Sequence, residues 1–199
     1  MSLEIRQESA ATLSEYQRIP IAFQVREVFD VTAERKGGFS LAARQLADPY
    51  QKDYDALGET PADWGRRFDV STWAFFSAFT DGQRIGGATV AFRSPDVDML
   101  EGRVDLAVLW DIRVAPSTRR GGVGSALFAA ATTWAASQRC RQLKVETQNI
   151  NVPACRFYGR QGCVLGAARW GAYQDLPEEV QLLWYKNLAP DAMCGRGDG

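Results

Sequence analysis

The sequence predicts an α/β fold, a mixed and mostly antiparallel sheet flanked by helices. Three observations predict it. Two apolar and aromatic runs, Trp73 to Thr80 and Arg84 to Phe92, meet at Asp81-Gly82, a dipeptide suited to a tight hairpin turn. A third run, Val104 to Val114, leads to the glycines Gly121 to Gly124, after which apolar residues recur at helical spacing. A last block reads as strand, short helix and two strands between Gln142 and Asn187.

Ile21 to Val31 alternates apolar and polar positions imperfectly and reads as a strand. Phe39 to Phe68 reads as one or two helices broken at Asp48-Pro49, Gly58 and Pro61. Tyr50, Tyr54 and Trp64 stand among acids in that stretch, a mixture that suits a cationic ligand and equally suits packing. A polar loop, Arg93 to Gly102, separates the hairpin from the third strand. The following helix places Val123, Leu127, Ala130, Ala131 and Trp134 on one face. Gln142 to Thr147 is a strand, and Asn151 to Arg160 a short helix with Asn151 as N-cap, Pro153 in its first turn and Gly162 past its end. Cys163 to Ala168 and Val180 to Asn187 complete the strands. With no internal repeats, residues 1–188 read as one domain, a divergent front end over 1–70 and a core over 71–188. The glycine-rich tail from Ala189 to Gly199 has little to bury and is expected to be disordered.

Composition excludes several function classes. A net charge of −1 gives no basic field to draw nucleic acid or anionic lipid. No apolar run approaches a membrane span, and the N-terminus lacks a signal-peptide core, so a cytoplasmic protein with no membrane partner is expected. The four cysteines, Cys140, Cys155, Cys163 and Cys194, lack paired metal-type spacing and read as reduced. The chain has no histidine. That removes serine–histidine and cysteine–histidine catalysis and any histidine-ligated metal, and no metal site is expected. A general base must be a carboxylate, an unusual lysine, cysteine or tyrosine, or a water held by such groups.

The glycine-rich segment Arg119-Arg120-Gly121-Gly122-Val123-Gly124-Ser125 supplies what the net charge does not. Glycines let backbone N–H groups approach a bulky anion, and a helix start adds unpaired N–H groups and a positive dipole end. Arg119 and Arg120 add counter-charge, so a pyrophosphate fits. A P-loop requires lysine where Ser125 stands, and a dinucleotide fingerprint requires glycine where Leu127 stands. What remains is Arg-x-x-Gly-x-Gly. Its bland reading, a strand-to-helix turn that binds nothing, does not account for the two arginines.

At this point the chain resembles the GNAT acetyltransferase superfamily, whose CoA signature is Arg/Gln-x-x-Gly-x-Gly/Ala. The resemblance runs from about Trp73 to Leu188, and a second block, Asn151-Val-Pro-Ala-Cys-Arg-Phe157-Tyr158 followed by Gly162-Cys163, supports it. Cys163 replaces the usual aromatic, and Arg120-Gly121 inverts the usual glycine followed by a basic residue. Leu109 to Val114 and Val145 to Tyr158 look like the streptothricin acetyltransferase branch, and Asp48 to Asp55 resembles it as well.

The resemblance implies a GNAT fold with its sheet split near the centre, residues 1–70 on the acceptor side, and acetyl-CoA as cosubstrate. It implies transfer of acetyl to a primary amine on a small molecule or peptide, in that branch an antibiotic. Glu146 matches the position that often carries the base, and Asp111, on the cofactor strand, would orient the amine or act as base instead. The bland readings are a Glu146 pair with Lys144 or Arg141, and an Asp111 pair with Arg113 or Arg103. Tyr158 matches the general acid for the CoA thiolate. Cofactor contacts would come from Ile112, Arg113 and Val114 on the strand, from Arg119, Arg120, Gly121, Gly122, Val123, Gly124 and Ser125 in the cradle, and from Asn151 and Tyr158. A CoA-binding module without chemistry and a plain interaction scaffold are the rival readings; a sensor would need neither Glu146 nor Tyr158. A homodimer stays open.

Overall fold

The computed structural model describes residues 2–188. The chain runs β1 (Leu3–Glu8), α1 (Leu13–Tyr16), β2 (Phe23–Ala33), β3 (Phe39–Lys52), α2 (Trp64–Arg67), β4 (Ala74–Thr80) and β5 (Gln83–Ala91). It continues through β6 (Leu106–Val114), α3 (Val123–Ser137), β7 (Gln142–Gln148), α4 (Val152–Arg160), β8 (Val164–Arg169) and β9 (Gln181–Asn187). Seven strands form one sheet in the order β1-β4-β5-β6-β7-β9-β8, while β2 and β3 form a separate two-stranded ribbon. The expected hairpin is β4–β5, and Asp81 and Gly82 turn it with φ of 49° and 78°, the left-handed conformation that matches strand twist.

Strands β6 and β7 are the parallel pair of the sheet, and they pair only from Leu106–Leu109 against Gln142–Val145. Beyond that point β6 keeps only β5 and β7 keeps only β9. A gap therefore opens between Trp110–Val114 and Glu146–Gln148. Its cause is local: Thr89 faces Asp111 and Val90 faces Leu109, so Trp110 is an extra residue that bends β6 away. Helix α3 covers one face of the sheet with Val123, Leu127, Phe128, Ala131 and Ala135 buried against the small residues Ala78, Ala88 and Ala107. A second cluster, Trp64, Phe68, Trp73, Phe75 and Leu100, packs beneath Trp110 on the other face.

The front end corrects the sequence expectation. Most of the Phe39–Phe68 stretch is the long strand β3, with helical turns only at Asp55–Leu57, Pro61–Asp63 and α2. Leu41, Ala42, Ala43 and Gln45 favour a helix locally, but they pair with Val31, Asp30, Phe29 and Glu27 of β2, and that non-local pairing wins. Pro49 does not end the strand because it lies in the irregularity opposite Arg26, where no ladder N–H is required. Strand β1 and helix α1 were not expected; β1 pairs with β4 at the sheet edge, and Tyr16 of α1 is buried. The tail from Ala189 to Gly199 and its Cys194 lie outside the described residues.

Candidate active site

Glu146 stands on β7 one residue past the last β6–β7 pair, at the apex of the gap. Its neighbours Val145 and Thr147 point into the core, which leaves its half-buried carboxylate on the opposite face. Both oxygens are held: Tyr173 donates its hydroxyl to Oε1 at 2.6 Å, and Gln181 donates Nε2 to Oε2 at 2.8 Å. Neither bland partner is used, since Lys144 bonds Glu101 at 2.7 Å and Arg141 makes no salt bridge among the described residues. Tyr173 accepts from Gln148 Nε2 at 2.9 Å, and Gln148 Oε1 accepts the Tyr54 hydroxyl. Burial first, then the Glu146 charge, pushes the Tyr173 phenol well above its ordinary range. Tyr173 therefore remains a donor at neutral pH.

Asp111 and Arg113 project from β6 towards the front end and form a buried cluster. Arg113 donates Nε at 3.0 Å and Nη2 at 2.6 Å to Asp111, and both Nη groups to Asp55 at 3.0 and 3.2 Å. It also donates to the Ile19 carbonyl at 3.0 Å and lies over the Tyr16 ring. The Tyr16 hydroxyl adds a bond to Asp111 at 2.5 Å. The structure thus shows the Arg113 pairing for Asp111, while Arg103 pairs with Asp105. With its side chain 1% exposed, Arg113 reaches a cofactor only through its backbone. Burial opposes the guanidinium charge, but its hydrogen bonds and attraction to Asp111 outweigh that and raise the Arg113 pKa.

The cradle lies where β6 ends. Residues Arg119 to Gly122 are exposed, Arg120 and Gly122 take positive φ of 67° and 84°, and Gly122 is the N-cap of the fifteen-residue α3. No side chain caps that end. Its first N–H groups, including those of Val123 and Gly124, are free for an anion. The Val123 side chain is core, and Ser125 Oγ accepts from Gln161 at 3.0 Å. The inverted Arg120-Gly121 pair has a consequence here: arginine, not glycine, occupies a left-handed position, at a cost of about 1 kcal/mol. Arg119 folds onto the carbonyls of Val114 and Ala22, both at 3.1 Å. A phosphate competes well for that guanidinium, because a charged acceptor bonds more strongly than two neutral ones.

Across the gap, Asn151 caps α4 by accepting from the Ala154 N–H at 3.2 Å, and its side chain also lies against the Tyr54 hydroxyl. Tyr158 is buried on the same helix, in edge contact with Phe157 and tilted against Phe128. Among the described residues its hydroxyl has no hydrogen-bond partner. Burial first, then the Asp111 charge, raises the Tyr158 phenol well above its usual value. Ile112 and Val114 are half-buried and pack against the core, leaving their main-chain groups on the gap edge. Cys140, Cys155 and Cys163 are buried free thiols, each pushed up to about 11 chiefly by burial.

The profile of the acetyltransferase (GNAT) family matches residues 39–163, which include the β6 strand, the cradle and α4. The chain belongs to the GNAT acetyltransferase family. As a GNAT enzyme it moves an acetyl group from acetyl-CoA to an amine nitrogen. It is 32% identical to a streptothricin acetyltransferase of Escherichia coli over 166 residues, covering 82% of this chain and 84% of that one. A streptothricin acetyltransferase of Streptomyces lavendulae is 26% identical over 170 residues, covering 84% of both chains. In fold, it is similar to a Bacillus anthracis protein crystallised with acetyl coenzyme A, with TM-score 0.77 and 25% identity over 94% of this chain and all of the other. A nourseothricin acetyltransferase gives TM-score 0.75 at 24% identity, over 95% of this chain and 100% of that one.

The GNAT motifs bring Glu146, Asn151, Tyr158 and the cradle to the two sides of one gap. They do not include Tyr173 or Gln181, which reach Glu146 from the β8–β9 loop and from β9, or Tyr54, which reaches Gln148 from the front end. The signal available in the sequence was Tyr54 among acids. Nothing local marks Tyr173 or Gln181. No helix among the described residues is long and apolar enough to cross a membrane.

Proposed function

We propose that this GNAT enzyme acetylates a primary amine of a streptothricin-type antibiotic in the cytoplasm, with Glu146 as general base and Tyr158 as general acid. The acceptor rests on the names of its relatives, and the chemistry rests on Glu146: a carboxylate at the apex of the split, oriented through both oxygens and, among the described residues, paired with no cation. Asp111 is the less suitable base because Arg113 and Tyr16 already occupy it. The charge balance suits an ammonium substrate. Asp55, Asp111 and Glu146 against Arg113 give a local charge of three negative and one positive, or −2, beside a chain of net charge −1.

A free amine with a pKa of about 10.4 is roughly one part in a thousand neutral near pH 7.4, so a proton must leave. The ammonium first gives one proton to Glu146, directly or through one water, and Glu146 passes it to solvent; as the neutral nitrogen bonds the thioester carbon and the carbonyl electrons move to oxygen, Glu146 takes the second proton. Main-chain N–H groups on the gap edge of β6 offer donors for that oxyanion. When the carbon–oxygen double bond re-forms, the carbon–sulfur bond breaks and the sulfur takes the Tyr158 proton. Because the Tyr158 phenol is raised, this transfer accompanies bond breaking and does not precede it. Solvent then removes the proton from Glu146 and restores that of Tyr158. Acetyl-CoA fits the main-chain cradle at Gly122 and the open edges of β6 and β7.

The test is free-thiol release from acetyl-CoA against streptothricin, aminoglycosides, polyamines and lysine or N-terminal peptides. Streptothricin turns over fastest, and Glu146→Gln loses at least about a hundredfold in rate with its CoA affinity kept. Turnover of a peptide with none of streptothricin sinks the acceptor assignment; an unchanged rate and pH dependence in Glu146→Gln sinks the base, with Asp111→Asn the next variant.

A further inference from the structure

We infer that Tyr173 is a positioning residue for Glu146: its hydroxyl fixes the place and orientation of the carboxylate at the apex of the gap, acting as the end of a one-way hydrogen-bond chain from the front end. The inference rests on Glu146 being the base. Its own observation is the direction of each bond. Tyr54 donates to Gln148 Oε1, which leaves the Gln148 amide nitrogen facing Tyr173; Gln148 Nε2 donates to the Tyr173 oxygen at 2.9 Å. A phenol has one proton, and with its oxygen already accepting, Tyr173 delivers that proton to Glu146 Oε1 at 2.6 Å. Gln181 Nε2 points the same way at Oε2. Every donor in the cluster faces Glu146.

That polarity rules on what the chain does. A relay carrying the substrate's proton away needs each member to accept from Glu146's side and give to the next, and an amide nitrogen at Gln148 cannot accept. The cluster is a fixed set of dipoles aimed at a negative charge. Bonds of this type fix the direction of the acceptor and reinforce one another along a chain. The loop that carries Tyr173 is held as well. Its loop returns to the body through Glu179, whose carboxylate takes Lys52 Nζ of β3 at 2.6 Å in a pair less than a tenth exposed, and through the Val180 N–H bond to Asn149 at 2.9 Å. The front end therefore secures the loop at Lys52 and reaches its tyrosine from Tyr54 through Gln148. The charged groups facing Glu146 are few among the described residues: the Lys144 ammonium, two residues earlier on the same face of β7, is taken by Glu101, and the Lys52–Glu179 pair closes on itself.

The test uses Tyr173→Phe, which keeps the half-buried ring and removes one hydroxyl. Under kinetics with streptothricin and acetyl-CoA, kcat of Tyr173→Phe falls by about tenfold or more at neutral pH while KM for acetyl-CoA stays within about twofold. In the Glu146→Gln background the same substitution changes kcat by less than about twofold, because the tyrosine acts only through that carboxylate. Gln148→Leu, which breaks the chain one step earlier, gives the same pattern with a smaller loss. A folded Tyr173→Phe protein with the parent kcat, or one whose loss is undiminished in the Glu146→Gln background, overturns the inference. The failure of the base assignment looks different: Glu146→Gln alone then keeps the parent rate.

Discussion

Replacing Tyr158 by phenylalanine separates chemistry from packing, because the structure assigns its hydroxyl no packing partner to lose. The ring is 4% exposed, with centroids 5.2 Å from Phe157 and 6.0 Å from Phe128, and Tyr158→Phe keeps all of it. A hydrogen bond from a buried hydroxyl contributes about 1 kcal/mol, but none is made here by the described residues, so that loss is absent. At about 2–4 °C per kcal/mol for a chain of this size, the melting temperature moves by no more than about 2 °C. Turnover behaves differently. Loss of a positioned general acid removes about a hundredfold or more, which is about 2.7 kcal/mol of barrier. Because burial and the Asp111 charge raise the Tyr158 phenol, the acid form is present throughout neutral and mildly alkaline pH. The deficit is accordingly flat with pH there. The assay is single-turnover thiol release at saturating acetyl-CoA, which isolates the chemical step from product release. A folded Tyr158→Phe enzyme with the parent chemical rate means that the thiolate leaves unassisted or takes its proton from water, and the acid assignment is then wrong.

Three further perturbations probe the parts around that step. Arg119→Ala with Arg120→Ala weakens CoA binding by about tenfold or more in calorimetry while melting stays within about 2 °C, since both side chains are exposed; unchanged affinity refutes the cradle. Arg113→Met leaves the Asp111 and Asp55 carboxylates without their cation and costs about 3–5 kcal/mol in urea unfolding. Adding Asp111→Asn and Asp55→Asn restores most of that loss, and a failure to restore it assigns the cost to shape instead of unpaired charge. Gly87→Ala would place a Cβ 2.3 Å from the Tyr16 ring and 2.8 Å from the Phe76 carbonyl, so it destabilises by about 1–3 kcal/mol and disturbs the Tyr16 bond to Asp111. Parent stability in Gly87→Ala shows that Tyr16 can move freely, against its near-complete burial.

What was legible in the sequence follows contact range. Hairpin β4–β5, the turn into α3 and the cap of α4 are local events, decided by Asp81-Gly82, by Gly122 and by Asn151 with Ala154, and each could be read from a few adjacent residues. Strand β3 could not, because Ala42 and Ala43 become strand only through partners ten or more residues earlier in β2. The site divides the same way. Glu146, Asn151 and Tyr158 lie within thirteen residues on β7 and α4, a spacing that carries their family likeness. Tyr173 reaches that carboxylate from 27 residues after it, and Tyr54 reaches Gln148 beside it from 94 residues before, a meeting that only the folded chain creates.

The parting of β6 and β7 also sets where this molecule is open to water. In most sheets amide protons at the centre exchange last, since both neighbours protect them and only global unfolding frees them. Here the central strands pair for four residues, Leu106–Leu109 with Gln142–Val145, and then turn unprotected edges towards one another. The gap-facing amides between Trp110 and Val114 and between Glu146 and Gln148 are therefore expected to exchange with deuterium early, ahead of the gap-remote amides of the same strands that bond to β5 and β9. A cosubstrate whose arm lies along those edges slows them selectively. The map of protection gained on adding acetyl-CoA then traces the path of its arm, residue by residue, through the middle of the sheet.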